Sequence, residues 1–279
     1  MDNIMNKKNI TAIEGAKFDP DTTFDCGQCF RWERQEDGAW QGVAHNRILT
    51  VRRQGESILL EGTDSEEFEQ IWKRYFDLDR DYSCIKELLC GDGVLEAAIG
   101  FAPGMRILRQ EPWEALCSFI ISQNNNIPRI KGIISRLCES FGDEIAPNRY
   151  SFPDAQRIAA LSPDELAPLR CGFRAGYITD AAQKVASGAV DLDSLSTMPL
   201  DEARAMLKTI KGVGPKVADC ALLFGCGRLD CFPVDVWIKR ALEHFYPNGF
   251  PQEYMQFGGI AQQFLFHYAR RCPQSGCKF

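Results

Sequence analysis

A chain of 279 residues with 45% hydrophobic content can bury one large core or two of ordinary size, which excludes wholesale disorder. The formal net charge of −6 argues against an indiscriminate polyanion binder, although a compact site that grips a few phosphates through backbone amides and selected arginines can work on an acidic protein. Twelve cysteines scattered over this length read as reduced thiols rather than as the disulfide framework of a small secreted scaffold.

The first residues, MDNIMNKKNITAIEG, lack the continuous apolar stretch of a secretory signal, and no later stretch approaches the roughly 18 to 20 apolar residues of a membrane span. The expectation is a soluble, monomeric, cytoplasmic protein, nucleoid-associated in a prokaryote or nuclear in a eukaryote. From Phe24 to Gly62 the pattern is β-like. Ile48, Thr50 and Val51, then Ile58 and Leu59, are separated by turn candidates Asn46-Arg47 and Gly55-Glu56, which predicts a small antiparallel sheet. A helix should start at Thr63, whose hydroxyl caps the backbone while Glu66 reciprocates, and carry the apolar stripe Phe68, Ile71, Trp72, Tyr75 and Phe76.

Beyond Asp81 the chain reads as short amphipathic helices separated by Pro, Gly and Asn clusters. Ile130, Ile133, Ile134, Leu137 and Phe141 recur at helical spacing up to a stop at Gly142. Ala203, Met206, Leu207 and Ile210 form a second stripe, and both stripes are core. The fold class is α+β: residues 1–110 form a β-rich N-terminal domain and residues 111–279 a helical domain whose last helix completes a pocket.

That second stripe ends at the most informative segment, LKTIKGVGPKVAD, from Leu207 to Asp219. It reads as helix, hairpin at Gly212-Val213-Gly214, and a new helix opened by Pro215, which lacks the amide that would be unpaired there. Both glycines permit backbone angles that side chains resist, and hairpin amides beside a helix N-terminus suit a phosphate. A plain helix-helix turn is the bland alternative. Lys216 falls in the first helical turn, where the dipole disfavours a cation, so the position suits an amine that works in its neutral, nucleophilic form; Cys220 shares its helix face. An exposed lysine gripping a phosphate is the competing reading.

The next block, CFPVDVWIK from Cys231 to Lys239, places Asp235 after Pro233-Val234 and before an apolar helical run, as a helix N-cap. A cap fixes a carboxylate and keeps it ionised, so the structural role is compatible with a catalytic one. A neutral amine and a fixed carboxylate are the pair that displaces a base from a sugar carbon: the amine attacks C1′ and the carboxylate stabilises oxocarbenium-like charge.

Together, KGVGPKVADC and FPVDVW resemble the catalytic region of the helix-hairpin-helix DNA glycosylase superfamily, and a lysine at position 216 resembles its bifunctional branch. Three further segments resemble the 8-oxoguanine glycosylases: CGQCFRW (Cys26 to Trp32), SQNNNIPR (Ser122 to Arg129) and CGFRAGY (Cys171 to Tyr177). The resemblance runs from about residue 20 to residue 270. It implies excision of 8-oxoguanine opposite cytosine from double-stranded DNA in base excision repair, through a Lys216 Schiff base and β-elimination, with Asp235 as the carboxylate partner.

The same resemblance implies that Asn124 enters the space vacated by the flipped base, that Arg129 and Arg174 hold the orphaned cytosine, and that Phe173 wedges the duplex. Gly212, Val213 and Gly214 would contact the DNA backbone. Gln262 would read the base edge, with Phe266 and Cys220 as stacking walls, Pro233 lining the pocket, and the Gly27 carbonyl accepting the N7 hydrogen that guanine lacks. A site whose buried acceptor is left unpaired by the wrong substrate can reject that substrate strongly. An ordinary Asn turn and a core Phe173 are the bland readings.

Two departures stand out. The family often has a histidine where this chain has Trp237, which puts one phosphate contact in doubt. The endonuclease III branch carries four clustered cysteines near its C-terminus, whereas only Cys272 and Cys277 occur in that region here, so no iron-sulfur cluster and no other cofactor is expected. A structural cation at the hairpin carbonyls stays open, as do three rival functions. These are a glycosylase of the same superfamily for another damaged base, a non-catalytic helix-hairpin-helix module, and a thiol oxidoreductase using Cys26 and Cys29.

Overall fold

The computed structural model describes residues 10–15 and 17–271. Strands β1 (Ile10–Glu14), β2 (Trp32–Arg34), β3 (Trp40–Ala44), β4 (Arg47–Gln54) and β5 (Ser57–Glu61) form one antiparallel sheet in the order β1-β5-β4-β3-β2. Period-two alternation builds its buried face: Leu49 and Val51 on β4 and Ile58 and Leu60 on β5 are all buried. The β3–β4 turn sits at His45 and Asn46, with φ of 50° and 57°, one residue earlier than Asn46-Arg47, because Arg47 already pairs with Ala44.

A short helix, α1 (Pro20–Phe24), precedes β2, and Phe24 stacks on Trp32 with ring centres 4.1 Å apart. The helical stripe after the sheet begins at a different cap from the one expected. Asp64, not Thr63, accepts the Glu67 amide at 2.8 Å, and the Thr63 hydroxyl turns to the Asp64 carbonyl. There α2 (Ser65–Glu67) passes through a π-helical turn at Phe68–Trp72 into α3 (Lys73–Tyr75), burying Trp72, Tyr75 and Phe76 in the core of the sheet.

The remaining helices are α4 (Tyr82–Leu89), α5 (Gly93–Phe101), α6 (Pro112–Ser122), α7 (Ile127–Phe141), α8 (Ala155–Ala159), α9 (Arg174–Ala186), α10 (Leu200–Lys208), α11 (Pro215–Phe224), α12 (Val236–Phe245) and α13 (Gly258–Arg271). A two-stranded hairpin, β6 (Glu144–Ala146) and β7 (Arg149–Tyr150), follows α7. As its spacing predicts, α7 buries Ile130, Ile133, Ile134 and Leu137 and ends before Gly142. The larger core takes in α4 and α5 as well as the later helices, and α13 packs against α5 and α12, so the C-terminal helix returns to chain that precedes residue 110.

The two cores are joined through the CGQCFRW segment. The buried Gln28 amide donates to the carbonyls of Thr23 and Arg106 and accepts the Leu108 amide, while Gln110 donates to the Gln28 carbonyl. Arg31 pairs with buried Glu114 at 3.0 Å and donates to the Tyr150 carbonyl. Most of that signature is therefore scaffolding that fixes Gly27.

Candidate active site

Asp180 on α9 sets the entrance to the α10–α11 hairpin by accepting the Lys211 amide at 2.7 Å and the Lys184 ammonium at 2.8 Å. Gly212 has φ +78°, and a Cβ there would lie 2.3 Å from the Tyr177 ring, so only glycine fits. Gly214 differs from expectation. Its backbone is extended (φ −95°, ψ −179°) and the space for a Cβ is open, so the fold itself does not demand glycine. Val213 also departs from the expected exposed contact: it is buried and its amide bonds the Ile210 carbonyl at 3.1 Å. The hairpin thus offers Gly212, Gly214 and the N-terminus of α11 to an anion.

Lys216 lies in the first turn of α11, with its Nζ 5.1 Å from the centre of the Phe119 ring, which in turn stacks on Phe224. The buried Cys220 thiol lies one turn on; burial pushes its pKa up, and the neighbouring Lys216 charge offsets part of the rise. Asp235 is the N-cap of α12, accepting the Ile238 amide at 2.8 Å. The predicted cap is thus real, and it fixes one carboxylate oxygen.

The third wall comes from α13. Gln263 donates through Nε2 to the Cys26 carbonyl at 2.8 Å and so pins the loop that carries Gly27. Gly27 has φ +77°, and a Cβ there would touch the Phe266 ring at 3.4 Å. Gln262 is 4% exposed, and its Oε1 is buried without a hydrogen-bond partner among the described residues. A buried acceptor left without a donor costs about 1 to 3 kcal/mol, which a donor on a bound molecule would relieve. Lys216, Cys220, Pro233, Asp235, Gln262, Phe266 and Gly27 all line one cavity of about 50 Å³. Hence every residue expected for catalysis and base binding meets there.

A second group surrounds the exposed turn between α6 and α7. Asn124 has φ 46°, and Asn126 caps α7 by accepting the Arg129 amide at 3.0 Å. Phe173 is 57% exposed, so the bland core reading fails, and Arg129 is exposed as well. Arg174 is placed otherwise than expected for an open base contact. It is 2% exposed, donating to the carbonyls of Gln123, Asn124 and Cys171 and lying 4.5 Å over the Phe173 ring. It ties the Asn turn to the wedge.

Residues that sequence reasoning passed over are Gln263, Phe119, Phe224 and Asp180. Gln263 carries a signal only in retrospect, as the neighbour of Gln262 that faces the N-terminal loop. Among the described residues no group of three or more His, Cys, Asp or Glu side chains could hold a metal, and no helix is long and apolar enough to cross a membrane. Cys272 and Cys277 lie outside the described residues. Trp237 is partly exposed at the start of α12, with the Arg240 guanidinium 5.7 Å from its ring. Burial pushes the Cys26 thiol up to about 11 and Cys29 well above its ordinary value, the opposite of what thiol redox chemistry needs.

Two family models match the chain: the 8-oxoguanine DNA glycosylase N-terminal domain over residues 10–116, and the HhH-GPD superfamily of base excision DNA repair proteins over residues 117–256. A solved structure of MBOgg1 in complex with a low-affinity DNA ligand superposes with a TM-score of 0.90 at 45% identity, covering 97% of this chain and 99% of that one. The 8-oxoguanine glycosylase/lyase of Clostridium acetobutylicum, solved with duplex DNA containing cytosine opposite 8-oxoguanine, gives 0.88 at 37% identity, covering 98% and 99%. An N-glycosylase/DNA lyase of Saccharomyces cerevisiae is 36% identical over 158 residues, which are 51% of this chain and only 42% of that protein.

Proposed function

The chain belongs to the 8-oxoguanine DNA glycosylases of the HhH-GPD superfamily, and from that premise we propose that it excises 8-oxoguanine from duplex DNA and then cleaves the strand. The observation that carries this reading is the buried, unpartnered Gln262 Oε1 inside a cavity that also holds Lys216 and Asp235. A base edge supplies the missing N–H donor, Phe266 and Cys220 flank the ring, and the Gly27 carbonyl accepts the N7 hydrogen of the oxidised base.

In the reaction the neutral Lys216 amine attacks C1′ as the glycosidic bond breaks, and the electron pair leaves with the base. Asp235 opposes the positive charge that develops on the sugar. The ring-opened sugar and Lys216 then share an iminium, and loss of a C2′ proton expels the 3′ phosphate. Asn124 and Phe173 fill the gap left by the flipped base, Gly212 and Gly214 hold the backbone, and Arg129 meets the orphaned cytosine with Arg174 shaping the loop beneath it. Residues 1–110 supply Gly27 and residues 111–279 the rest. No cofactor enters the chemistry, and the protein works wherever the cell keeps its DNA.

The test is borohydride trapping on duplex carrying 8-oxoguanine opposite cytosine. The expected result is a covalent adduct that peptide mapping places on Lys216, absent in Lys216→Gln, with lesion binding retained. Normal strand cleavage by Lys216→Arg, which has no accessible neutral form, would make position 216 a phosphate anchor and overturn the assignment.

A further inference from the structure

A separate cleft is lined by Arg129, Arg170, Leu166, Gly172 and Phe173, and it shares no residue with the cavity that holds Lys216. Four arginines gather at this corner on a chain of net charge −6: Arg129, Arg136, Arg170 and Arg174. Three of them converge on one stretch of backbone: Arg136 donates to the Leu169 carbonyl, Arg129 to the Arg170 carbonyl and Arg174 to the Cys171 carbonyl. None of the four forms an ion pair among the described residues, although Asp164 also lines the cleft. Like charges held together without a counter-ion are a local cost that a bound anion would relieve.

Arg170 is the member built to present its side chain. It sits at φ 55°, ψ 34°, a left-handed conformation that disfavours a residue with a Cβ. The surrounding backbone is clamped by its neighbours: Arg136 donates twice to the Leu169 carbonyl, at 3.1 and 2.9 Å, and Arg129 donates to the Arg170 carbonyl at 3.5 Å. Two guanidiniums thus hold the strained turn, and the exposed Arg170 head is left for a ligand, three residues before the wedge Phe173.

We propose that Arg170 grips a backbone phosphate of the strand opposite the lesion, anchoring that strand beside the wedge while the damaged strand gives up its base to the cavity. This rests on the glycosylase reading only for the naming of the strands. A phosphate carries no sequence information, so the contact adds affinity uniformly.

The experiment measures duplex binding by Arg170→Gln and Arg170→Asn, using DNA with a stable abasic-site analogue, over a series of salt concentrations. Asn tolerates the left-handed turn, so a variant that fails through misfolding is recognised by comparison with it. Both variants should lose about tenfold in affinity, with the log-log salt slope reduced by about 1, the loss being the same for all four opposing bases. A neutral methylphosphonate linkage placed in turn along the undamaged strand should weaken the wild type at one position and leave Arg170→Gln unaffected there. Unchanged affinity and slope in both variants overturn the proposal, as does a sensitive linkage found only in the damaged strand. Loss that depends on the opposing base would make Arg170 a base contact and overturn it equally. Because binding is the readout, a chain that binds duplex but fails to excise 8-oxoguanine refutes the glycosylase reading and leaves this test intact.

Discussion

Gln263 on the last helix donates to the carbonyl of Cys26 at 2.8 Å, across 237 positions of sequence, and this bond pins the adjacent Gly27 at the wall of the cavity that holds Lys216. Gln263→Leu keeps the volume and removes the donor. Discrimination between 8-oxoguanine and guanine should fall by about tenfold or more, as expected for losing one buried hydrogen bond of roughly 1.5 kcal/mol, while binding to abasic DNA is retained. Single-turnover excision on paired lesion and guanine duplexes checks this; undiminished discrimination would detach Gln263 from the Gly27 loop.

Gln262 carries the opposite relationship to the fold. Its buried Oε1 has no partner among the described residues, so Gln262→Leu should stabilise the free protein, raising Tm by roughly 2 to 4 °C for each kcal/mol of relieved desolvation. The same substitution should impair excision. A variant that is less stable than the parent would mean that Oε1 is satisfied in solution and the argument for a base donor is lost.

The two hairpin glycines should separate in behaviour. Gly212→Ala forces a Cβ to 2.3 Å from the Tyr177 ring at φ +78°, and thermal unfolding should show a loss of about 1 to 3 kcal/mol. Gly214→Ala meets open space in an extended backbone, so its Tm should stay near that of the parent, while affinity for every duplex falls to a similar degree because phosphate is approached there. A change in lesion preference without a change in overall affinity would contradict that role for Gly214.

Much of the site was legible in the sequence because its parts are local: a helix N-terminus opened by Pro215, a cap at Asp235, and Gln262 and Phe266 four residues apart on one face. What was illegible depends on distant packing. Gly212 and Gly214 look alike in sequence, and only Tyr177 on α9 tells them apart. Arg174 looks like a free arm until the carbonyls of Gln123 and Asn124, some fifty residues earlier, are seen to hold it. The helix start slipped from Thr63 to Asp64 because both residues can cap and nothing local ranks them.

Cys26 supplies a pH test. Burial raises its thiol from 9.0 to about 11, so the folded state favours the protonated form. A group whose folded pKa is raised adds stability that is complete below 9 and is lost as pH climbs towards about 11. Thermal unfolding between pH 7 and 11 should therefore show a steeper decline for the wild type than for Cys26→Ala. Parallel curves would show that the thiol titrates freely, and would return the thiol oxidoreductase to consideration.

Asp235 has a capping role and a proposed catalytic one, which substitution can separate. As the cap of α12 it accepts the Ile238 amide, and an asparagine oxygen can do the same, so Asp235→Asn should unfold within a few tenths of a kcal/mol of the parent. Asp235→Ala loses the cap and should cost about 1 kcal/mol. Excision responds to charge instead of shape. The carboxylate stabilises the sugar only as positive charge develops, so both variants should lose roughly 10² to 10³ in single-turnover rate while holding lesion duplex nearly as tightly as before. The decisive comparison is therefore between Asn and Ala: equal catalytic loss with unequal stability assigns the charge to the reaction and the oxygen to the helix. If Asp235→Asn excises at the parental rate, Asp235 is a cap alone, and the positive charge that develops on the sugar as the glycosidic bond breaks must be stabilised by another group.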